Sequence, residues 1–505
     1  MHSQQLINIS SSKFARKTRE KQRRGKVLVL LAILLPSLCG MIGLVMDTGM
    51  LLSEHRQAQH AADAAATAAA MEKQQGSTTA EVLAEATETV RVHNQISSAN
   101  VTVHSPPTSG PYAGSAKHVE VIVDYELPTF FMHVVGGATS NDIRCRAVAG
   151  FEPVTEGASI VVLDPNPDNF SLGALTPILP PLPALLGGVE VLGLGRVQVH
   201  GAMHVNTEWG GEDEYGLPAG VVKPLKKAVT CTPIVGLTKL QTEDLRIVGG
   251  VSNYKHFGTL NPEADVPFHA NRLPVPDPLQ HLAPPSISID SANVSATMQG
   301  GRTIIGIPLI GPKITLNPGV YEWIDVVSGR VEFRPGVYII RGKSPITQIP
   351  LKVLAGEVDA EGVMFYITDN SSYNPAGGTF PDSADGETDP PHQDLGNLLP
   401  SALINIGLLG SSFKPLNDPA SPYHDMLIFQ RRHDRRPIVL VQETLLGNGQ
   451  YSGTTYSKWG HVLLAGLGDY DARFVCGTMR MLAILDLDIN PSTLLPPAED
   501  VFLVE

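Results

Sequence analysis

Apolar and polar positions follow three regimes along this chain. The first is an uninterrupted uncharged run, Val27 to Met46, VLVLLAILLPSLCGMIGLVM. As a helix rising about 1.5 Å per residue, it spans roughly the 30 Å hydrocarbon core of a bilayer. Pro36 inside it predicts a modest kink, with neighbouring groups satisfying the freed carbonyl. The second regime is residues 58–70, AQHAADAAATAAA, with nine alanines and one acid, Asp63. Alanine is the best helix former, so one long helix is expected to Met71, half in lipid and half out. An alanine face has little bulk and admits close neighbours. It can lie on its own domain, or pack against copies of itself or partner subunits.

The third regime is strand-like. Val82, Ala86 and Val90 first share one helical face between Glu81 and His93. Val101–His104, Val119–Leu127 and Ile143–Phe151 then alternate with β-branched residues, so 73–152 reads as a small α+β unit. Cys145 falls on the face of Ile143 and Ala147 and reads as core. From about 153 to 505, short apolar stretches are broken by Gly, Pro, Asn and Asp. Asn317-Pro-Gly-Val-Tyr321 recurs 17 residues later as Arg334-Pro-Gly-Val-Tyr338. Such rungs cannot bury an apolar face singly, so stacking into an elongated β-solenoid is expected. A β-sandwich would also give short strands with turns. The 402–413 stretch and the C-terminal LDLDINPSTLLPPAEDVFLVE are candidate caps. The fold class is thus mainly β, behind a transmembrane helix and a small α+β unit.

Composition sharpens this reading. With 48 glycines and 40 prolines, most of the chain should be strands and turns. Residues 1–26 hold eight Lys/Arg and one Glu, leaving 29 basic and 49 acidic side chains elsewhere, a balance of −20. An acidic body disfavours nucleic acid as its partner. The basic tail, Lys13 to Lys26, lies directly before the apolar run, and Asp47 is the first charge after it. Positive-inside asymmetry keeps the N-terminus cytoplasmic and sends the bulk across. A cleaved signal peptide is disfavoured, because the run exceeds a usual h-region and no A-x-A site closely follows it.

Candidate chemistry is sparse. His200, His204 and Glu208 have the i, i+4, i+8 spacing of a helical metal face, but the text VQVHGAMHVNTEWG is strand-like. The acidic stretch Asp382, Asp385, Glu387, Asp389 and Asp394 lacks EF-hand spacing and reads as a solvated loop, with Ca²⁺ binding through its oxygens as the alternative. The basic stretch Arg431, Arg432, His433, Asp434, Arg435 and Arg436 reads as a solvated turn, or as a contact for anionic lipid or polysaccharide. The four cysteines give no framework, and a Cys231–Cys476 disulfide cannot be inferred from spacing. No Gly-rich phosphate loop, GxSxG elbow or HExxH occurs, so no cofactor is expected.

The string RRGKVLVLLAILLPSLCGMIGLVMDTGMLLSEHRQAQHAADAAATAAA resembles the N-terminal segment of TadE/TadG-like proteins of the tight-adherence (Tad, or Flp) pilus machinery. Pro36, Asp47, Gly49, Ala61, Ala62, Asp63, Ala64 and Ala65 carry the pattern, and HVEVIVDYELPTFFMHVVGGATSNDIRCRAVAG continues it. The resemblance also favours a β-helix-like extracytoplasmic body. A processed pilin would carry glutamate at the fifth position beyond its glycine, where Leu30 follows Gly25. The resemblance therefore implies a membrane-retained protein. Many TadG-like proteins carry a von Willebrand A metal motif, Asp-x-Ser-x-Ser. Here Asp369-Asn-Ser371-Ser-Tyr373 lacks the last serine, and Asp164-Pro-Asn-Pro-Asp168 also departs from it.

The expectation is a non-enzymatic bitopic protein of pilus assembly, anchoring or adhesion. Its partners would be the membrane, Tad-type proteins or its own copies through the Ala-rich helix, and a surface polysaccharide. One alternative is a surface carbohydrate-active enzyme, which would require carboxylates such as Glu322, Asp325 and Glu332 to converge. Another is a pseudopilin-like filament subunit.

Overall fold

The computed structural model describes residues 23–132, 136–168, 171–172, 186–233, 238–386, 397–406, 410–443 and 449–505. The fold is mainly β behind one N-terminal apolar helix. The chain divides into two compact units. One holds the described residues up to Glu152 together with Val501–Glu505, and the other is Pro153–Asp500. The basic tail up to Gln22 lies outside the described residues.

In the first unit, α1 (Arg23–Gln74) runs unbroken through Pro36 and past the alanine block. At 52 residues it is about 78 Å long. A capping box starts α2 (Thr79–Glu88): Glu81 N donates to Thr78 Oγ1, and Thr78 N donates to Glu81 Oε2 at 2.7 Å. Three strands follow, β1 (Asn100–His104), β2 (His118–Pro128) and β3 (Ser140–Val162), the last belonging to this unit up to Glu152. The middle one, β2, pairs antiparallel with both neighbours. Ala58, Ala61, Ala62, Ala65, Ala66, Ala69 and Ala70 are fully buried against Val82, Ala86 and Val90 and against Val119, Val121 and Val123 of β2. Small side chains let the long helix approach this closely. Cys145 packs there with Ile143 and Ala147, and burial raises its thiol pKa. The C-terminus belongs to this unit too, since Val148 N donates to Glu505 O at 2.7 Å.

In the second unit almost every ladder is parallel. The pairings fall into three series among the described residues. In the first, Met298–Ile304 lies beside 320–326, then 351–353, 402–405, 438–443 and 462–467. In the second, Lys313–Leu316 leads through 330–333 and 359–360 to 412–413 and 450–451. In the third, 319–321 leads through 338–340 and 365–367 to 428–430 and 454–456. Leu351–Ile367, Ala402–Asn405, Ile438–Glu443, Gln450–Ile489 and Met426–Gln430 also pair in a closed circuit of five. Inward residues of all three series, Ile324, Val331, Phe365, Leu440 and Tyr451 among them, form one continuous core that also takes in Val191, Val199 and Phe474.

The order of these strands is not that of the sequence. The late segments 474–476, 479–483 and 487–489 pair with the early segments 160–162, 189–193 and 197–199. From there the ladders continue away through 203–205, 227–233, 240–247 and 257–259. The chain thus enters the ladders in their middle and winds outward to Thr259. It then passes along the outside to Met298 at the other end and winds back. Segment 260–297 makes that passage without strand or helix.

This connectivity corrects the two expected caps. Ala402–Asn405 is paired on both sides, with 351–353 and with 438–441, so it is interior. Residues 407–409 lie outside the described residues. Leu487–Ile489 of the C-terminal stretch pairs with 197–199 and is interior as well. Cys231 and Cys476 are both buried in the core and both free thiols.

Both charged loops are corrected too. Arg432 is buried, not solvated. It donates through Nε to Tyr456 Oη at 2.9 Å, and through its terminal nitrogen to the carbonyls of Leu279, Gln280 and Leu282 at 3.1, 2.9 and 2.7 Å. Arg431 pairs with Asp369 and Asp385, Arg436 with Asp434, and Arg435 with Asp168. Asp382 is buried under Tyr366, Thr368 and Asn370, and desolvation raises its pKa despite those bonds. Glu387, Asp389 and Asp394 lie outside the described residues.

Candidate functional site

The residues of the N-terminal pattern occupy one helix but do different work. Gly43, Asp47, Ala58, Ala61, Ala62, Ala65 and Ala69 are buried along one face of α1, Asp47 four residues from Gly43 and Ala58 eleven residues, about three turns, beyond Asp47. Ala64 is exposed on the other side, Gly49 has open space where a Cβ would stand, and Pro36 is exposed. Asp63 is half-buried at the edge of that face and accepts from Gln59 Nε2 at 2.7 Å. The chain's own sheet and α2 therefore cover the alanine face, which takes it up as a docking surface for copies. Ala62→Leu should cost this unit about 1–3 kcal/mol by overpacking, and Ala64→Leu less than about 0.5. Thermal unfolding of the full chain in detergent measures both. A neutral Ala62→Leu that abolished self-association would restore the intermolecular reading.

Asp47 is the most constrained residue of the set. Its carboxylate, buried although one residue beyond the apolar run, accepts three backbone N–H bonds from the turn after β2. The donors are Phe130 (3.2 Å), Phe131 (2.8 Å) and Met132 (2.7 Å). One helical turn back, a Cβ on Gly43 would meet Phe131 Cβ at 2.5 Å, so only glycine admits the ring there. The sequence shows Asp47 and the Pro-Thr-Phe-Phe turn as separate parts of one pattern, and the structure joins them.

The other candidates do not converge. The alternation from Val197 breaks at Gly201, whose φ is +86°. His200 reaches Glu243 at 3.5 Å and Asp488 at 3.3 Å, His204 is wholly buried, and Glu208 is exposed beyond the strand. No group of three metal-ligating side chains forms among the described residues. Glu322 pairs with Arg341 at 2.9 Å, Asp325 lies near Lys352 at 3.8 Å, and Glu332 lies near Lys313 at 3.6 Å, each with a separate cation. Asp369 pairs with Arg431, and Tyr373 fills the position of the missing serine, its hydroxyl on Pro285 O. A cleft of about 640 Å³ opens in the β unit between Glu361, Lys414, Asp418, Asp425, Asp471 and Arg473, most of which are paired among themselves or with the nearby backbone.

His204 has neither ring nitrogen hydrogen-bonded, and it lies between Val161 and Arg246 on the adjoining strands. Burial, and then the Arg246 charge, push its pKa down to about 4. The folded state holds this ring neutral while the unfolded chain protonates it below about 6.5. Stability from this site is therefore complete above pH 6.5 and falls with pH until about 4. The loss from pH 8 to 5 should be about 2 kcal/mol larger in the parent than in His204→Leu, read from urea midpoints. Equal pH dependence of the two would refute the assignment.

One helix among the described residues, Val27–Gln74, is long and apolar enough to cross a membrane, and it fits a single-pass anchor. No curated protein and no solved structure matches the chain. Residues 25–72, the segment that holds the apolar run, Asp47 and the alanine face, match the family model of putative Flp pilus-assembly TadE/G-like proteins.

Proposed function

We propose that the chain is a non-enzymatic, membrane-anchored component of a Tad/Flp-type pilus assembly or surface adhesion apparatus. The observation that carries this reading is the coincidence of the family match at 25–72 with α1. That helix is bare and apolar over its first half and packed on its own α+β unit over its second. Its basic lead sets the N-terminus in the cytoplasm, with both units on the far side. Leu30 stands where a processed pilin would carry glutamate, which argues against processing and for retention in the membrane.

The β unit is read as a parallel β-solenoid that presents a long surface to Tad-type partners or to a polysaccharide. What supports this is the run of parallel pairings along three series. The recurring Pro-Gly-Val-Tyr unit adds to it: Tyr321 and Tyr338 each send their hydroxyl back to the carbonyl four residues earlier, at 2.6 and 2.7 Å.

Deleting the gene and scoring Flp pili and surface attachment tests the role. Wild-type piliation and attachment would refute it. Protease added to intact spheroplasts should digest the β unit and spare the N-terminal tail. Mass spectrometry of the native N-terminus should show no end at Lys26.

A further inference from the structure

We propose that the turn Phe130–Met132 is a second membrane contact, its two phenylalanines seated in the interfacial layer beside α1. The inference rests on the reading of α1 as a membrane span, and it follows from depth. Asp47 accepts the N–H groups of Phe130, Phe131 and Met132, which fixes the turn at the level where α1 leaves its apolar run. Phe131 lies against Gly43, about one helical turn (roughly 5 Å) further in. With Val27–Met46 in hydrocarbon, Phe131 must stand at or below the hydrocarbon boundary.

Exposure points the same way. Phe130 is 55% and Phe131 47% exposed, and the adjoining helix surface is the equally bare Leu44, Val45 and Met46. Two large rings continuous with an apolar helix surface fit lipid acyl chains and headgroup carbonyls better than water. The Asp47 bonds suit the same place. A carboxylate at the edge of the hydrocarbon loses water, and the three N–H groups replace it. The partner is thus a lipid surface, and the contact fixes how α1 leaves the bilayer.

Tryptophan quenching by brominated lipid tests this with the full chain in phosphatidylcholine vesicles. Emission is taken as the difference from the unmodified chain, which carries Trp209, Trp323 and Trp459. Leu34→Trp should be quenched most by bromines deep in the acyl chain. Phe130→Trp should lose about half its emission to bromines near the headgroup, while Val92→Trp, exposed on the same unit, should lose little. Phe130→Trp as bright as Val92→Trp, with Leu34→Trp quenched, overturns the second contact and leaves the span intact. An unquenched Leu34→Trp overturns the span itself. Asp47→Ala added to Phe130→Trp should release the turn and lower the shallow quenching, and unchanged quenching would overturn the tether.

Discussion

Replacing Arg432 by methionine should lower the stability of the β unit by about 3–5 kcal/mol, the cost of leaving buried polar partners without their charged donor. The guanidinium is the central fastening of segment 260–297. Along that segment the bonds to the ladders come in order. Asn206 holds Val275 by both backbone groups at 2.7 and 2.8 Å, and Tyr456 donates to Asp277 at 2.7 Å. Arg432 then holds three carbonyls between 279 and 282. Tyr423 and Tyr373 donate to the carbonyls of Ala283 and Pro285, both at 2.9 Å. Ser421 reaches Asp290 at 2.6 Å. Leu279, Leu282, Ile287 and Val294 add apolar contact with Tyr366, Phe429 and Tyr456.

Methionine keeps most of the volume of Arg432 but donates nothing, so three carbonyls and Tyr456 lose a buried donor. Lysine should not rescue, because one ammonium cannot span the fork that reaches Tyr456 on one side and three carbonyls on the other. Arg334→Met, on an exposed side chain, is the control and should stay within about 0.5 kcal/mol. Hydrogen exchange should rise over 277–287 in Arg432→Met before the ladders open. A loss under 1 kcal/mol, or full rescue by lysine, would show that the segment is held by its apolar contacts instead.

These residues also mark where linear reading ends. The long helix was legible because its signals are local: an apolar run, then alanine at nine of thirteen positions. The strands of the α+β unit were legible because β-branched alternation is local too. The Pro-Gly-Val-Tyr recurrence was legible, and in both copies the tyrosine hydroxyl returns to the carbonyl four residues earlier. Arg432 gave no such sign. A run of charges defaults to solvent unless its partners are known, and these lie about 150 positions away in a strandless stretch. Asp382 and Asp385 failed for the same reason, with Arg431 46 positions from Asp385. The caps failed because entry into the middle of the ladders leaves no trace in any local window. The tether of Asp47 was half legible, since both partners stood out and only the contact, 83 to 85 positions long, was missing.

Arg480→Met should destabilise the β unit by about 3–5 kcal/mol, and Glu190→Leu combined with Arg480→Met should recover most of that loss. The two side chains are cross-strand partners where the late segment 479–483 joins the early segment 189–193, 290 positions apart. Both are almost wholly buried, with Arg480 Nε donating to Glu190 Oε2 at 2.5 Å and a second guanidinium nitrogen on the same carboxylate. Desolvation raises the Glu190 pKa even with the arginine present. Removing the arginine leaves a buried charge, and that penalty shrinks once the carboxyl takes up a proton. The difference between Arg480→Met and the parent should therefore be larger at pH 8 than at pH 5. Taking the difference at each pH removes the separate acid sensitivity of His204. The double variant replaces the pair by apolar volume, so its pH dependence should lack this contribution. Urea midpoints for the four proteins at two pH values complete the cycle. A double variant as unstable as the sum of its single variants would mean that the early and late segments of the β unit are joined by the ladder bonds alone and not by this ion pair.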